Sequence, residues 1–297
     1  MKKLNLHGTY TALITPFDKE LDVDFENLYE IVEKQISSGV EGLVVLGSTG
    51  EAATLAMKEK IAIMLKVQEK VNGRVPVIVG TGSNDTKETI EFTMVATEYN
   101  FDGILLVAPY YNTPSQEGLY QHFLAISEAV DIPQIIYNVP ARTGVNIEPE
   151  TQQKIAEDCK NVVGTKEASG DLEQIMEVIR HSPEGFTVMS GDDFIAVPSI
   201  LAGAKGVVSV LSNYAPKMLG DCIRLAESGK FAEAMKAHYE LYDLMQVNFI
   251  ESNPVPVKAI MKELGLVKHS DVRLPLVPIQ EANLQLIRMI LKNKTIK

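Results

Sequence analysis

Positive charge is scarce in this chain, and so are the residues that build disulfides and metal sites. Its 297 residues carry 28 Lys and Arg against 39 Asp and Glu, a net charge of −11. An acidic surplus repels phosphate backbones, which argues against a nucleic-acid partner; an anionic substrate would then depend on isolated arginines. The two cysteines, Cys159 and Cys222, stand far apart and without ligand spacing, so reduced thiols are expected. The five histidines (His7, His122, His181, His238 and His269) show no paired spacing, and no metal site is expected. No apolar run reaches membrane-spanning length, and MKKLNLHGTY lacks the apolar stretch of a signal peptide. A cytoplasmic protein without a membrane partner is the expectation. GTGSND (80–85) lacks the third glycine of a dinucleotide-binding turn, so no nucleotide cofactor is expected either. There is no repeat of solenoid period and no low-complexity tract.

What is present is a chain that can bury a large core, with 45% hydrophobic and 23% charged residues. Near-continuous apolar runs recur at 9–17, 41–49, 75–82, 102–111, 132–140, 162–169, 186–191 and 205–213. Runs of that kind, rather than strict alternations, mark strands covered on both faces of a parallel sheet. Amphipathic helical segments lie between them at 25–38, 57–71, 86–99, 118–130, 149–159 and 172–180. Pro149 and Pro216 suit first-turn helix positions, and Asn84 or Asp85 suits a cap. About eight βα units fit a (β/α)8 TIM barrel, with a doubly wound open sheet as the competitor. After residue 229 the strand signal stops, and 231–249, 255–264 and 280–291 read as helices. The expected organisation is a catalytic barrel over 1–229 with a C-terminal helical appendage over 230–297.

In a parallel barrel the active site forms at the C-terminal strand ends. Lys166 lies at such an end, in VVGTKEASG (162–170). Burial there disfavours the ammonium, and a neutral amine can attack a carbonyl carbon to form a Schiff base. A lysine so placed has two bland fates as well, escape to solvent or pairing with Glu167. Tyr137 ends the preceding strand, where a phenol can shuttle protons; a core tyrosine is the alternative. GSTGE (47–51) places Ser48 and Thr49 in a turn whose N–H groups can bind a carboxylate, or which is simply a tight βα turn. Arg142, just past the fifth strand, can grip a carboxylate with paired N–H bonds or brace its own loop.

GSTGEAATL, GTGSND, PYYNTPSQEGLYQHF, IIYNVPARTG, GTKEASGDL, SGDD, GVVSVLSN and ESNPVPVK, in this order and spacing, resemble the dihydrodipicolinate synthase family, class I aldolase-type barrels of the lysine pathway. The likeness covers nearly the whole chain. It implies a Schiff base between Lys166 and pyruvate, with Tyr137 as proton donor and acceptor. It also implies a relay of Ser48, Tyr137 and Tyr111, the last reaching in from a neighbouring subunit of a homo-oligomer, a dimer or a dimer of dimers. Thr49 would hold the pyruvate carboxylate, with Gly191 and the backbone at Val208 at the same ligand, and Arg142 would receive the carboxylate of L-aspartate 4-semialdehyde. Serine at position 48, where many members have threonine, is common in the related N-acetylneuraminate lyases. A sugar-acid aldolase of the same superfamily is therefore the second reading, and a catalytically silent barrel a distant third.

Overall fold

The computed structural model describes residues 4–294 and Ile296. Among these residues eight short strands follow one another: β1 (Gly8–Ala12), β2 (Gly42–Val45), β3 (Val77–Gly80), β4 (Gly103–Val107), β5 (Gln134–Asn138), β6 (Val162–Glu167), β7 (Thr187–Ser190) and β8 (Gly206–Ser209). They close into a barrel in sequence order, and the registered neighbours are parallel. This is the (β/α)8 barrel that the alternating apolar runs predict, and the closed order removes the open-sheet competitor.

Each strand is shorter than its apolar run. The run 9–17 keeps a ladder only to Ala12; beyond it the Ile14 N–H is taken by Asn213 Oδ1 at 3.1 Å. The run 205–213 is strand to Ser209 and then turns tightly over Leu211–Asn213. The apolar signal thus continues past the ladder into buried rim segments, where side chains replace neighbouring strands as hydrogen-bond partners.

Helices fill the intervals close to where the 3.6-residue pattern places them, including Phe25–Ser37, Met57–Val71, Thr86–Glu98, Gln116–Ala129, Pro149–Asp158 and Leu172–His181. Asp85 is the cap of Thr86–Glu98, its side chain accepting from the N–H groups of Lys87 and Glu88. A cap of this kind contributes about 1 kcal/mol. Pro149 and Pro216 both open helices, as expected. After Ser209 the described residues form no strand, and Pro216–Glu227, Phe231–Val247, Val255–Glu263 and Glu281–Lys292 are helical. No helix among the described residues is long and apolar enough to cross a membrane.

Two compact units emerge from the packing. One comprises the residues up to Gly8 with Pro76–Val208; the other comprises Thr9–Val75 and the residues from Ser209 onwards. Within the first, Ile175 and Val178 of Leu172–His181 pack on Val188 of β7 and on Ala204. In the second, Gln35 ties the helix Phe25–Ser37 to Thr11 of β1 and to the carbonyls of Ser212 and Asn213. We propose that the barrel gives way to the helical appendage at residue 229, where the βα alternation has ended.

His122 exemplifies the first unit's buried polar groups. Its Nδ1 lies 2.9 Å from Thr86 Oγ1, while Nε2 is buried without a partner. Burial, opposed weakly by Asp85, brings this imidazole down to about 4. The unfolded chain therefore binds a proton between about pH 6.5 and 4 that the folded one refuses. Stability should be complete above pH 6.5 and fall as pH drops towards 4, by roughly 3 kcal/mol at most. Urea unfolding at pH 7 and 4.5 checks this: His122→Gln should lose distinctly less between the two, and an identical loss would clear the histidine.

Candidate active site

Lys166 and Tyr137 are direct partners in the β5–β6 ladder. Both side chains are buried, and Lys166 Nζ stands 4.1 Å from the centre of the Tyr137 ring. A primary amine is thereby held over a phenol at the C-terminal end of two adjacent strands, within reach of one bound carbonyl compound. Glu167 does not pair with the amine. Successive strand residues point to opposite faces, and the Glu167 carboxylate is taken up by amide donors behind the ladder.

Gly191 serves Lys166 more closely than a ligand contact would require. Its N–H donates to Glu167 O at 2.6 Å. A Cβ at position 191 would come within 2.5 Å of Ala168 Cβ and 3.0 Å of Lys166 Cε. Any side chain would push the amine off its line, so glycine here leaves room for the lysine stem. Val208 is buried in β8, the neighbour of β7, where Ser190 registers with Val207.

Tyr111 and Arg142 belong to two loops of the same unit that meet at the backbone. The Tyr111 N–H donates to Thr143 O at 3.3 Å. Tyr111 sits in the left-handed region, φ 73°, and is 90% exposed. A bulky residue in that conformation is strained. Arg142 lies in the one-turn helix Pro140–Thr143, which Gly144 ends with a positive φ. The residue is exposed to solvent at this loop.

Ser48 and Thr49 belong to the other unit, in a tight turn Ser48–Gly50 directly beyond β2. The turn spends the N–H of Gly50 on Gly47 O (3.0 Å) and that of Glu51 on Ser48 O (3.1 Å). The amides it can offer an anion are therefore those of Ser48 and Thr49. Thr15 Oγ1 donates to Gly50 O at 2.7 Å, and Asn253 Nδ2 donates to Thr49 Oγ1 at 2.9 Å, which fixes the threonine hydroxyl. Behind the turn, Glu51 is buried with Lys258 at 2.5 Å. Sequence reading assigned no role to Asn253 or Lys258: ESNPVPVK enters it only as part of the resemblance, and nothing local in that segment points to the distant GSTGE turn.

Amine over phenol at the rim of a parallel eightfold barrel defines a Schiff-base-forming enzyme of the class I aldolase type. The comparisons give the particular family. The profile of the Dihydrodipicolinate synthetase family matches residues 5–294, and the chain belongs to that family. A 4-hydroxy-tetrahydrodipicolinate synthase of Citrifermentans bemidjiense is 48% identical over 285 residues, covering 96% of this chain and 97% of the relative. The dihydrodipicolinate synthase structure of Thermotoga maritima superposes with a TM-score of 0.95 at 42% identity, covering 97% of this chain and 98% of the other. A chloride-inhibited dihydrodipicolinate synthase of Acinetobacter baumannii, solved in complex with pyruvate, gives a TM-score of 0.95 at 40% identity, covering 97% and 99%.

Proposed function

We propose that this chain condenses pyruvate with L-aspartate 4-semialdehyde, as 4-hydroxy-tetrahydrodipicolinate synthases do, through a Schiff base on Lys166. The observation that carries the reading is the buried amine 4.1 Å from the Tyr137 ring, in a chain whose relatives bear the synthase name over almost their full length. The Lys166 amine adds to C2 of pyruvate, and the carbinolamine loses water to give the iminium. Loss of a methyl proton gives the enamine, whose carbon attacks the aldehyde carbon of the second substrate and forms the C–C bond. The amine of that substrate then closes on the former C2, releases the product and frees the lysine. Tyr137 moves the protons of carbinolamine formation and dehydration. Ser48 completes the relay, Thr49 and its turn hold the pyruvate carboxylate, and Gly191 and the Val208 backbone bound the same ligand. These roles rest on the resemblance and on the placement of each residue at a C-terminal strand end. No cofactor or metal enters the scheme, and a cytoplasmic location belongs to the proposal.

A turnover assay tests the reading: pyruvate with aspartate semialdehyde should be consumed, whereas N-acetylneuraminate should not be cleaved. The opposite result would install the sugar-acid aldolase, and neither activity the silent barrel. The names of the relatives favour neither alternative.

Arg142 is the proposed anchor for the aldehyde's carboxylate. Removing a bidentate charge-assisted contact that closes on substrate costs about 2–5 kcal/mol. Arg142→Ala should lower kcat/KM for aspartate semialdehyde by that margin while pyruvate still labels Lys166. An unchanged kcat/KM would reduce Arg142 to a loop brace.

We also propose a homo-oligomer in which Tyr111 completes a neighbour's site. Its exposure and its strained backbone support this, since strain gathers at functional positions. Mixing Tyr111→Phe subunits with Lys166→Ala subunits should restore part of the activity that each lacks. A fully active monomer at assay concentration would contradict the shared site.

A further inference from the structure

Glu167 is a fully buried carboxylate whose hydrogen-bond donors among the described residues are all amides. Burying a lone carboxylate costs several kcal/mol unless hydrogen bonds replace its water. Here only N–H groups do so. Asn138 Nδ2 donates to both oxygens at 3.0 and 3.1 Å, Gln152 Nε2 at 2.9 Å, Gln174 Nε2 at 3.0 Å and the Ser169 amide at 2.9 Å. Gln152 commits both amide hydrogens, the second to Ile147 O at 3.0 Å, and its own Oε1 is left buried without a partner. An unpaired buried acceptor is unfavourable, so this shell is oriented to solvate a negative charge.

The carboxylate's position gives the shell a purpose. Asn138 and Glu167 are ladder partners one residue beyond Tyr137 and Lys166. Their side-chain bond ties the two strands together directly behind the amine and the phenol. Asn138 also accepts the Ile147 N–H at 3.0 Å and donates to Asn146 Oδ1 at 2.7 Å, which folds the loop carrying Arg142 back onto the same clamp. Gln174 donates to Asn146 Oδ1 at 3.1 Å as well as to the carboxylate, closing the ring of bonds.

We infer that Glu167 is a positioning residue: through its amide shell it holds the reacting amine of Lys166 against Tyr137 and sets the loop that presents Arg142. The inference rests on the Schiff-base reading above. A glutamine of the same shape would bring donors to face donors and break the shell, while the amine and the phenol would remain chemically intact.

The test is active-site titration of the full-length protein with pyruvate and borohydride, followed by kinetics expressed per labelled Lys166. Glu167→Gln should show kcat at least tenfold below wild type per labelled site, KM for pyruvate within threefold, and a raised KM for the aldehyde. A clamp that only stabilised the fold would reduce the number of labelled sites and leave kcat per site unchanged; that result overturns the inference. If Glu167→Gln does not fold, Gln174→Met removes one partly exposed donor and should lower kcat per labelled site at least threefold, with wild-type turnover again the overturning result. Absence of labelling in the wild type would instead remove the Schiff-base reading itself.

Discussion

Replacing Lys166 by alanine should yield a folded protein that pyruvate and borohydride no longer modify, with turnover reduced by at least about 10³-fold. The side chain fills a buried place over Tyr137, and its loss removes the primary amine that would form a carbon–nitrogen bond with the ketone. Lys166→Arg is the sharper control. It keeps a cation and a long stem, yet guanidinium remains protonated and cannot attack a carbonyl carbon. Both variants should therefore fail alike in mass-spectrometric detection of the reduced adduct. Labelling that persists at full stoichiometry in Lys166→Ala would place the Schiff base on another lysine and dismantle the proposed mechanism.

Much of this site can be read from the chain because strands of a parallel barrel are neighbours in sequence order. Tyr137 and Lys166 end successive apolar runs, so their proximity follows once the barrel is accepted, and they are indeed ladder partners. The face that Glu167 occupies also follows from strand alternation. Its neighbour Lys166 reads more readily as a charge partner, which hides the amide shell. The contacts that brace the GSTGE turn are different in kind. Asn253 meets Thr49 across 204 residues and Lys258 meets Glu51 across 207. No period or motif connects those positions; only the packed tertiary structure does. Strand ends are misjudged for a related reason. Hydropathy reports burial, and at the rim burial outlasts the ladder, as at Ile14 and Leu211.

The second large effect concerns that brace. The Lys258 side chain is wholly buried and that of Glu51 nearly so, with 2.5 Å between Nζ and Oε1. Nζ also donates to Asp271 O at 2.8 Å and lies 4.1 Å from the centre of the Phe17 ring. Burial, against the attraction of Glu51, brings the lysine down to about 8. The carboxylate's other oxygen accepts the Arg273 N–H at 3.1 Å, and the Arg273 guanidinium grips Glu59 at 2.6 and 2.9 Å. Lys258→Met would fill the volume but leave Glu51 charged, buried and short of its main partner, at a cost of about 3–5 kcal/mol. Removing both charges, in Lys258→Met with Glu51→Leu, should recover most of that loss, because two buried ions and an apolar pair of similar volume are close in free energy. Urea unfolding of the two variants beside wild type measures the difference. Glu51 directly follows the turn whose Thr49 hydroxyl is set by Asn253, so the single variant should also raise KM for pyruvate. A Lys258→Met protein as stable as wild type would mean that the buried carboxylate finds other partners and that the turn needs no ionic brace.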